Sequence, residues 1–129
     1  MTRKSFIESV GATCNNWQSS WSFINEKERF IVFGAWEHHR VGNKTLIFST
    51  SEDWLYSKES GRKRPGFKQS REHIRLIEEE GYTLKTYSMK LLDTSQNQDK
   101  SLGKIKKFDP ILIERRLERK DNDWFAVPI

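Results

Sequence analysis

Three tryptophans near the start of the chain are the side chains with the clearest capacity for ligand chemistry. Trp17 and Trp21 stand four residues apart among small polar residues, and Trp36 ends the next apolar run. Flat aromatic faces form stacking surfaces for ring-shaped ligands, and each stacked nucleobase contributes about 1–3 kcal/mol. Aromatic residues are also ordinary core residues, so the spacing alone leaves both interpretations open.

Short polar side chains surround these tryptophans and could read the edge of a bound ring by hydrogen bonding. They are Asn16, Ser20, Ser22 and Asn25. Because side chains on a strand alternate between its two faces, Trp21 and Ser22 face opposite ways, and the polar residues cannot all line one pocket. We expect Trp17 and Trp36 to be the first walls of such a pocket and Trp21 the next.

A group of basic residues forms the second candidate site. Six lie within fourteen positions, on a loop rich in glycine and proline and on one face of the helix after it: Arg62, Lys63, Arg64, Lys68, Arg71 and Arg75. With a net charge of +5, the chain is compatible with a polyanionic partner. Contacts to phosphate would position a nucleic acid without reading its sequence. The alternative is a solvated charged surface.

The candidates for catalysis are weaker. His38 and His39 are adjacent, so on a strand they would point to opposite faces, and a chain with three histidines and one cysteine favours no closed zinc site. Cys14 with a histidine could form a nucleophile and base, although a lone cysteine usually behaves as a small buried residue. Phosphate-loop and nucleophile-elbow motifs are absent. We expect a binding module and no enzyme, with no metal and no cofactor.

The composition indicates one globular domain over residues 1–129. An aromatic content of 12% argues against disorder, and a chain of this length can bury one modest core. The single cysteine allows no disulfide within the chain and indicates a reducing compartment, so we expect a cytoplasmic location. No apolar run approaches the ~20 residues that span a bilayer, and no secretory signal is apparent. We therefore expect no membrane partner.

The elements that must position these residues are strands and one good helix. Apolar alternation and turn residues predict strands at 21–25, 29–36, 44–49 and 82–89, and a final hairpin at 115–120 and 124–127. The strand at 29–36 is apolar on both faces, which predicts a central strand covered on both sides. A short helical turn is expected at 4–10, and loops at 57–68 and 93–104.

The one long helix is predicted at about 69–80, capped by Gln69 or Ser70 and ended by Gly81. At 100° per residue, its basic residues fall on the solvent side. The inward side carries His73, Ile74, Leu76 and Ile77, so His73 is expected to be a hydrogen-bonded core histidine. Together the elements predict an α+β fold, a small bent-sheet β-barrel with this helix packed on it and short flanking helical turns.

Three segments together resemble a known family. They run from Asn16 to Asn25, from Phe33 to Glu37 and from Arg62 to Tyr82, with weaker similarity at 104–108 and 123–127. The pattern is similar to the N-terminal domain of a group of bacterial HNH endonucleases. That domain resembles a reader of modified DNA in the PUA superfamily, which includes the SRA, EVE and YTH domains. The similarity covers nearly the whole chain.

The resemblance implies a PUA-like barrel with a concave pocket for one modified base, flipped out of duplex DNA, in a restriction or defence context. Flipping costs a few kcal/mol, which stacking and edge hydrogen bonds must offset. A methyl group on the base gains about 0.8 kcal/mol against an apolar wall. The implied partners are DNA with a modified base, methylated above all, and a separate or fused nuclease. The His-Asn-His nuclease motif is absent from these 129 residues, so no nuclease activity is expected from them.

Other interpretations remain open at this point. A PUA-like domain could instead read modified or single-stranded RNA, because a basic patch recognises phosphate in either nucleic acid. The tryptophans could also be core residues of a protein-interaction domain. An enzyme built on Cys14 or on His38 and His39 is the least supported alternative. The sequence does not select among N6-methyladenine, 5-methylcytosine and bulkier modifications, nor does it indicate an oligomeric state.

Overall fold

The computed structural model describes residues 2–57, 60–91 and 105–129. Within these residues the helices are α1 (Arg3–Ser9), α2 (Glu52–Leu55) and α3 (Phe67–Glu80). The strands are β1 (Ser22–Asn25), β2 (Phe30–Trp36), β3 (Arg40–Val41), β4 (Lys44–Ser49), β5 (Thr83–Leu91), β6 (Ile105–Phe108), β7 (Ile113–Lys120) and β8 (Asp123–Val127). A turn of 3-10 helix, Glu37–His39, joins β2 to β3.

The described strands form one mixed sheet in the order β1-β2-β5-β7-β8-β4-β3, and β6 pairs with β5 beside this path. The neighbours β2 and β5 run parallel, whereas the other pairs are antiparallel. Helices and a largely antiparallel sheet in one layered unit confirm the predicted α+β class. The sheet is bent but not closed, because its path ends at β1 on one side and at β3 on the other.

Strand β2 is an interior strand of the sheet and separates two hydrophobic clusters. Its residues Phe30 to Phe33 are all buried, which confirms the predicted central strand covered on both sides. One cluster lies on the α3 side and contains Ile31, Phe33, Ile47, Phe48, Phe67, Ile74, Leu84, Trp124 and Ala126. The other lies on the α1 side and contains Phe6, Ile7, Ala12, Phe23, Phe30, Val32, Tyr87 and Met89.

Helix α3 confirms the predicted inward face but begins earlier than predicted. His73 and Ile74 are buried, and Gly81 ends the helix with a φ of 75°. The predicted caps, Gln69 and Ser70, are wrong, since the capping residue is Gly66 and no side chain bonds to the first turn. Ser70 instead lies inside the helix and is fully buried. Pro65 and Gly66 end the loop, so the first helical residue is Phe67.

The predicted strands and the short helix at 4–10 are present with small shifts of their ends. Elements that the sequence did not predict are short ones of two to four residues, namely β3, the 3-10 turn, α2 and β6. Strands of two residues and helices of one turn are too short for a periodic pattern to appear. The predicted loop at 93–104 falls outside the described residues. In the described part of the chain, no helix is both long and apolar enough to cross a membrane.

Candidate binding cleft

The cleft is the gap where the sheet fails to close. Strand β1 pairs with β2 only as far as Phe33, although β5 accompanies β2 to Trp36 on its other edge. Strand β4 is paired with β8 along one edge, and β3 covers only its first two residues on the other. The end of β2 and the middle of β4 both contribute residues to the lining of an opening of about 1220 Å3.

Three tryptophans from three different elements form the aromatic walls of this cleft. Trp21 precedes β1, Trp36 ends β2, and Trp54 lies on α2. The Trp21 and Trp54 rings meet edge to face, with centroids 5.7 Å apart. Phe48 and Phe67 support them from the core, each with its ring centroid 6.3 Å from that of Trp21. The walls are thus part of the packed interior on one side and exposed to the opening on the other.

The loop before β1 brings short polar side chains to the cleft. The Asn16 side-chain oxygen accepts the Gln18 amide at 2.9 Å, and the Asn16 carbonyl accepts the Ser20 amide at 3.0 Å. The Ser20 hydroxyl lies in the cleft and donates to the Gln69 side-chain oxygen at 2.8 Å. This loop packs closely on α3, because a Cβ atom on Gly66 would stand 2.4 Å from the Ser19 carbonyl oxygen.

His39 is one of the polar residues that line the cleft. Its ring lies between those of His38 and Trp54, with centroids 4.2 and 5.9 Å away. Burial lowers the pKa of His39, and His38 lowers it further, while a bond to the Leu46 backbone opposes both. The ring is therefore neutral at pH 7. Its Nδ1 is the one buried side-chain nitrogen or oxygen without a partner among the described residues.

Exposed cations form one rim of the cleft. Arg62, Lys63 and Arg64 all line it from the loop between α2 and α3. The loop is anchored to α2, since the Arg64 amide donates to the Leu55 carbonyl at 2.8 Å and its Nε donates to the Asp53 carbonyl at 3.1 Å. On α1, Arg3 contributes a half-buried guanidinium to the lining. Cations beside an aromatic cleft suit phosphate groups on either side of a stacked base.

Of the predicted base-contacting residues, the structure brings Trp21, Trp36 and Ser20 to the cleft. Trp17 does not reach it, although we expected a main wall there. Its ring stacks on Phe23 at 5.6 Å, and the Lys4 ammonium lies 5.5 Å from its centre. Because Phe23 faces the α1-side cluster, Trp17 is a half-buried packing residue.

The other predicted polar residues have structural partners. Ser22 is fully buried, and its hydroxyl lies 2.7 Å from the Ser70 hydroxyl and 2.6 Å from the Nδ1 of His73. Asn25 is buried as well, with its amide donating to the Val10 carbonyl at 3.1 Å. Asn16 is exposed and shapes the loop described above. None of the three lines the cleft.

The predicted basic stripe on α3 divides into two kinds of residue. Lys68 and Arg71 are exposed and lie outside the cleft lining. Arg75 is held by carboxylates, with its Nε 3.0 Å from Glu72 and its Nη1 3.7 and 3.5 Å from Glu79 and Glu80. Its charge is largely compensated, which sets it apart from the rim cations of the loop.

Sequence reasoning missed several lining residues, among them Arg3, His39 and Trp54. Trp54 carried a detectable signal, because Ser51 followed by Glu52 and Asp53 is the pattern of a helix start. The sequence presents His39 only as a candidate metal ligand or catalytic base, because a role in the lining depends on the turn that follows β2. The sequence around Arg3 contains no pattern that predicts a contact between α1 and the cleft.

Comparison with known proteins gave no match: no family model, no curated protein and no solved structure is similar to this chain. Within residues 2–57, 60–91 and 105–129, no group of three or more His, Cys, Asp or Glu side chains is placed to hold a metal ion. The geometry itself supports three actions. The lining contains indole surface, which can stack on flat rings, polar side chains, which can bond to a ring's edge, and cations, which can bind phosphate.

Proposed function

We propose that this chain is a nucleic-acid-binding module that takes one modified base, flipped out of duplex DNA, into the cleft. The observation that carries the proposal is the combination of three indoles around the gap between β2 and β4 with three cations on its rim. The half-exposed indoles supply stacking energy, and Arg62, Lys63 and Arg64 supply contacts to the phosphates of the extruded nucleotide.

The energetics favour this use of the cleft. Extrusion of a base costs a few kcal/mol, and stacking on one or two indoles returns about 1–3 kcal/mol for each base stacked. A methyl group on the base adds about 0.8 kcal/mol when an apolar wall covers it, and the half-buried Leu46 and the indoles provide such surface. Several wall residues therefore each add a small increment of binding free energy that favours a modified base over an unmodified one.

The family resemblance is consistent with this proposal and extends it. We interpret the bent, open sheet as a PUA-like barrel whose remaining gap is the base pocket. On this interpretation the chain recognises DNA in a restriction or defence context and acts as a binding module beside a separate or fused nuclease. The second candidate partner, modified or single-stranded RNA, would use the same stacking walls without the cost of flipping.

Fluorescence anisotropy at fixed salt tests the proposal with four labelled duplexes of one sequence. One is unmodified, and the others carry N6-methyladenine, 5-methylcytosine or 5-hydroxymethylcytosine. We expect one modified duplex to bind at least tenfold more tightly than the unmodified one, about 1.4 kcal/mol. Equal, weak binding of all four would contradict the proposal. Tighter binding of a single-stranded RNA with the same modification would transfer the assignment to RNA.

Two variants give matched controls for that measurement. Trp36→Ala removes a wall of the cleft, and Trp17→Ala removes an indole that packs on Phe23 outside it. We expect the first variant to lose the preference for the modified duplex and the second to retain it. A circular dichroism melt of each variant shows that the domain remains folded at the temperature of the binding measurement.

A further inference from the structure

The direction of the backbone groups in β1 follows from one pair of hydrogen bonds. The Ile24 amide donates to the Thr13 carbonyl at 2.8 Å, and the Ile24 carbonyl accepts the Thr13 amide at 2.9 Å. Ile24 thus points its backbone groups away from β2. Because successive residues of a strand direct these groups to opposite edges, Phe23 and Asn25 point theirs toward β2.

The same alternation can be followed along β2. Phe23 pairs with Val32, and Asn25 pairs with Phe30, so these β2 residues direct their backbone groups toward β1. The next two β2 residues with that direction are Gly34 and Trp36. In the described part of the chain no strand residue lies opposite them on this edge, since β1 begins at Ser22, the partner of Phe33. Their backbone groups are therefore directed toward the part of the β2 edge that β1 leaves uncovered, and both residues line the opening.

Partners from loops do not replace the missing strand. Among the described residues, no loop or turn makes a backbone hydrogen bond to the Gly34 carbonyl or to the Trp36 amide. Ala35, between them, has the opposite direction and lies against β5, where it pairs with Ser88. The edge thus offers an acceptor, the Gly34 carbonyl, and a donor, the Trp36 amide. Between them lies Ala35, whose own amide and carbonyl face β5.

Gly34 lies where neighbouring side chains leave no room for a Cβ atom. A Cβ atom at this position would stand 2.4 Å from the terminal methyl of Met89 and 3.2 Å from the Tyr87 hydroxyl. The buried side chains of Met89 and Tyr87 therefore occupy the place of a side chain at position 34, and glycine is required there for their packing.

We propose that the open edge of β2 reads the bound base: the Gly34 carbonyl accepts a hydrogen bond from the Watson–Crick edge of that base, and the Trp36 amide donates one to it. The proposal rests on the proposed function and deepens it. Adenine and cytosine each carry an exocyclic amine donor next to a ring nitrogen acceptor on that edge, which complements an acceptor and a donor two residues apart on a strand. Because the Trp36 ring and the Trp36 amide belong to one residue, the stacking surface and the hydrogen-bond donor are held close to each other.

The ligand class follows from this arrangement. A methyl group at C5 of cytosine leaves the Watson–Crick edge free, and one methyl group on the N6 amine of adenine leaves one N–H for Gly34. Two methyl groups on the amine remove the donor completely. A buried carbonyl that loses its partner weakens binding strongly, so the cleft should accept singly methylated bases and reject those with a dimethylated amine.

Amide hydrogen exchange of the 15N-labelled chain tests the proposal, with duplexes carrying N6-methyladenine or 5-methylcytosine as probes. In the free protein we expect the Trp36 amide to exchange faster than the Ala35 amide, which faces β5. With a selectively bound duplex in excess, the Trp36 amide should slow by at least about tenfold while Ala35 changes little. Unchanged exchange at the Trp36 amide, together with a shifted signal of the Trp36 indole, would overturn the proposal while the stacking function stands.

A matched pair of duplexes gives a second readout. N6,N6-dimethyladenine keeps the flat ring of N6-methyladenine but lacks the N–H donor, and N4,N4-dimethyl-5-methylcytosine does the same for 5-methylcytosine. We expect the dimethylated base to bind at least about tenfold more weakly, and equal affinities would overturn the edge contact. If no modified duplex binds selectively, the proposed function is wrong, and the proposal of a backbone contact to the base, which rests on it, is wrong as well.

Discussion

The indole rings of Trp21 and Trp54 meet edge to face, with centroids 5.7 Å apart and planes at 84°. Trp21 comes from the loop before β1, whereas Trp54 comes from α2, which also anchors the basic loop through Leu55 and Arg64. This contact therefore connects the aromatic wall of the cleft to its charged rim. A change at either ring should affect both stacking and the position of the cations.

Trp54→Ala should weaken binding of the preferred modified duplex by at least about tenfold, because it removes a stacking surface and the support of Trp21. Trp17→Ala is the matched control, since its ring packs on Phe23 outside the cleft. It should leave affinity within about twofold and lower the free energy of unfolding by up to about 3 kcal/mol. Anisotropy measures the affinity and urea unfolding measures the stability of each variant. If Trp17→Ala lost affinity and Trp54→Ala retained it, the binding site would lie on the α1 side.

The salt dependence of binding should distinguish the cations on the cleft rim from Arg75. Removing one side chain that binds a phosphate flattens the slope of log K against log salt by about 0.9 for duplex DNA. We expect Arg62→Gln and Lys63→Gln to flatten it, since both line the cleft rim. Arg75→Gln should leave the slope unchanged, because Glu72, Glu79 and Glu80 already surround that guanidinium. Equal slopes for wild type and both rim variants would show that the loop binds no phosphate.

Stability should fall in mild acid because of His73. Burial lowers the pKa of His73 to about 4 from an ordinary value of 6.5, and Glu72 opposes this weakly. Between these two values the unfolded chain binds more protons than the folded one, so the free energy of unfolding decreases as the pH falls. The loss approaches about 3 kcal/mol near pH 4, below which both states are protonated.

Urea midpoints at about pH 7.5 and pH 4.5 measure this dependence. His73→Gln is the informative variant, because it removes the titrating group and leaves His38 and His39, whose pKa values burial also lowers. We expect the variant to be less stable at neutral pH but less sensitive to acid. An acid response as steep as that of the wild type would assign the effect to other groups.

Ser22→Ala should destabilise the domain without altering the cleft. The Ser22 hydroxyl lies within hydrogen-bonding distance of both Ser70 and His73 in the interior, and its removal leaves buried polar atoms unpaired. The expected cost is about 1–3 kcal/mol in thermal or urea unfolding. Ser20→Ala is the comparison, since that hydroxyl lies in the cleft beside Gln69. A Ser22→Ala variant that loses ligand affinity but no stability would contradict this assignment.

Long elements with a strong pattern were predictable from the sequence. The doubly covered strand β2 and the buried His73 both followed from the spacing of apolar residues, because burial is what selects those residue types. The start of α3 was not predictable in the same way. Gln69 and Ser70 resemble caps, yet the backbone of Pro65 and Gly66 determines where the helix begins.

The cleft was predictable only in part. Trp21 and Trp36 were identified as wall residues from their type, but proximity in sequence wrongly favoured Trp17 over the more distant Trp54. The cleft exists because β1 stops before the end of β2, and the end of a strand depends on tertiary packing that residue types do not report. The roles of the Gly34 and Trp36 backbones are invisible when side chains alone are considered.

The separation of the interior by β2 has an evolutionary consequence. Ile31 and Phe33 face one cluster, while Phe30 and Val32 face the other, so residues of the two clusters have few partners in common. Energies of mutations without shared partners are close to additive. Each side of the strand can therefore accumulate compensating substitutions independently of the other. Homologues should diverge in two separate sets of covarying positions, and the short cleft-lining end of β2 should diverge least.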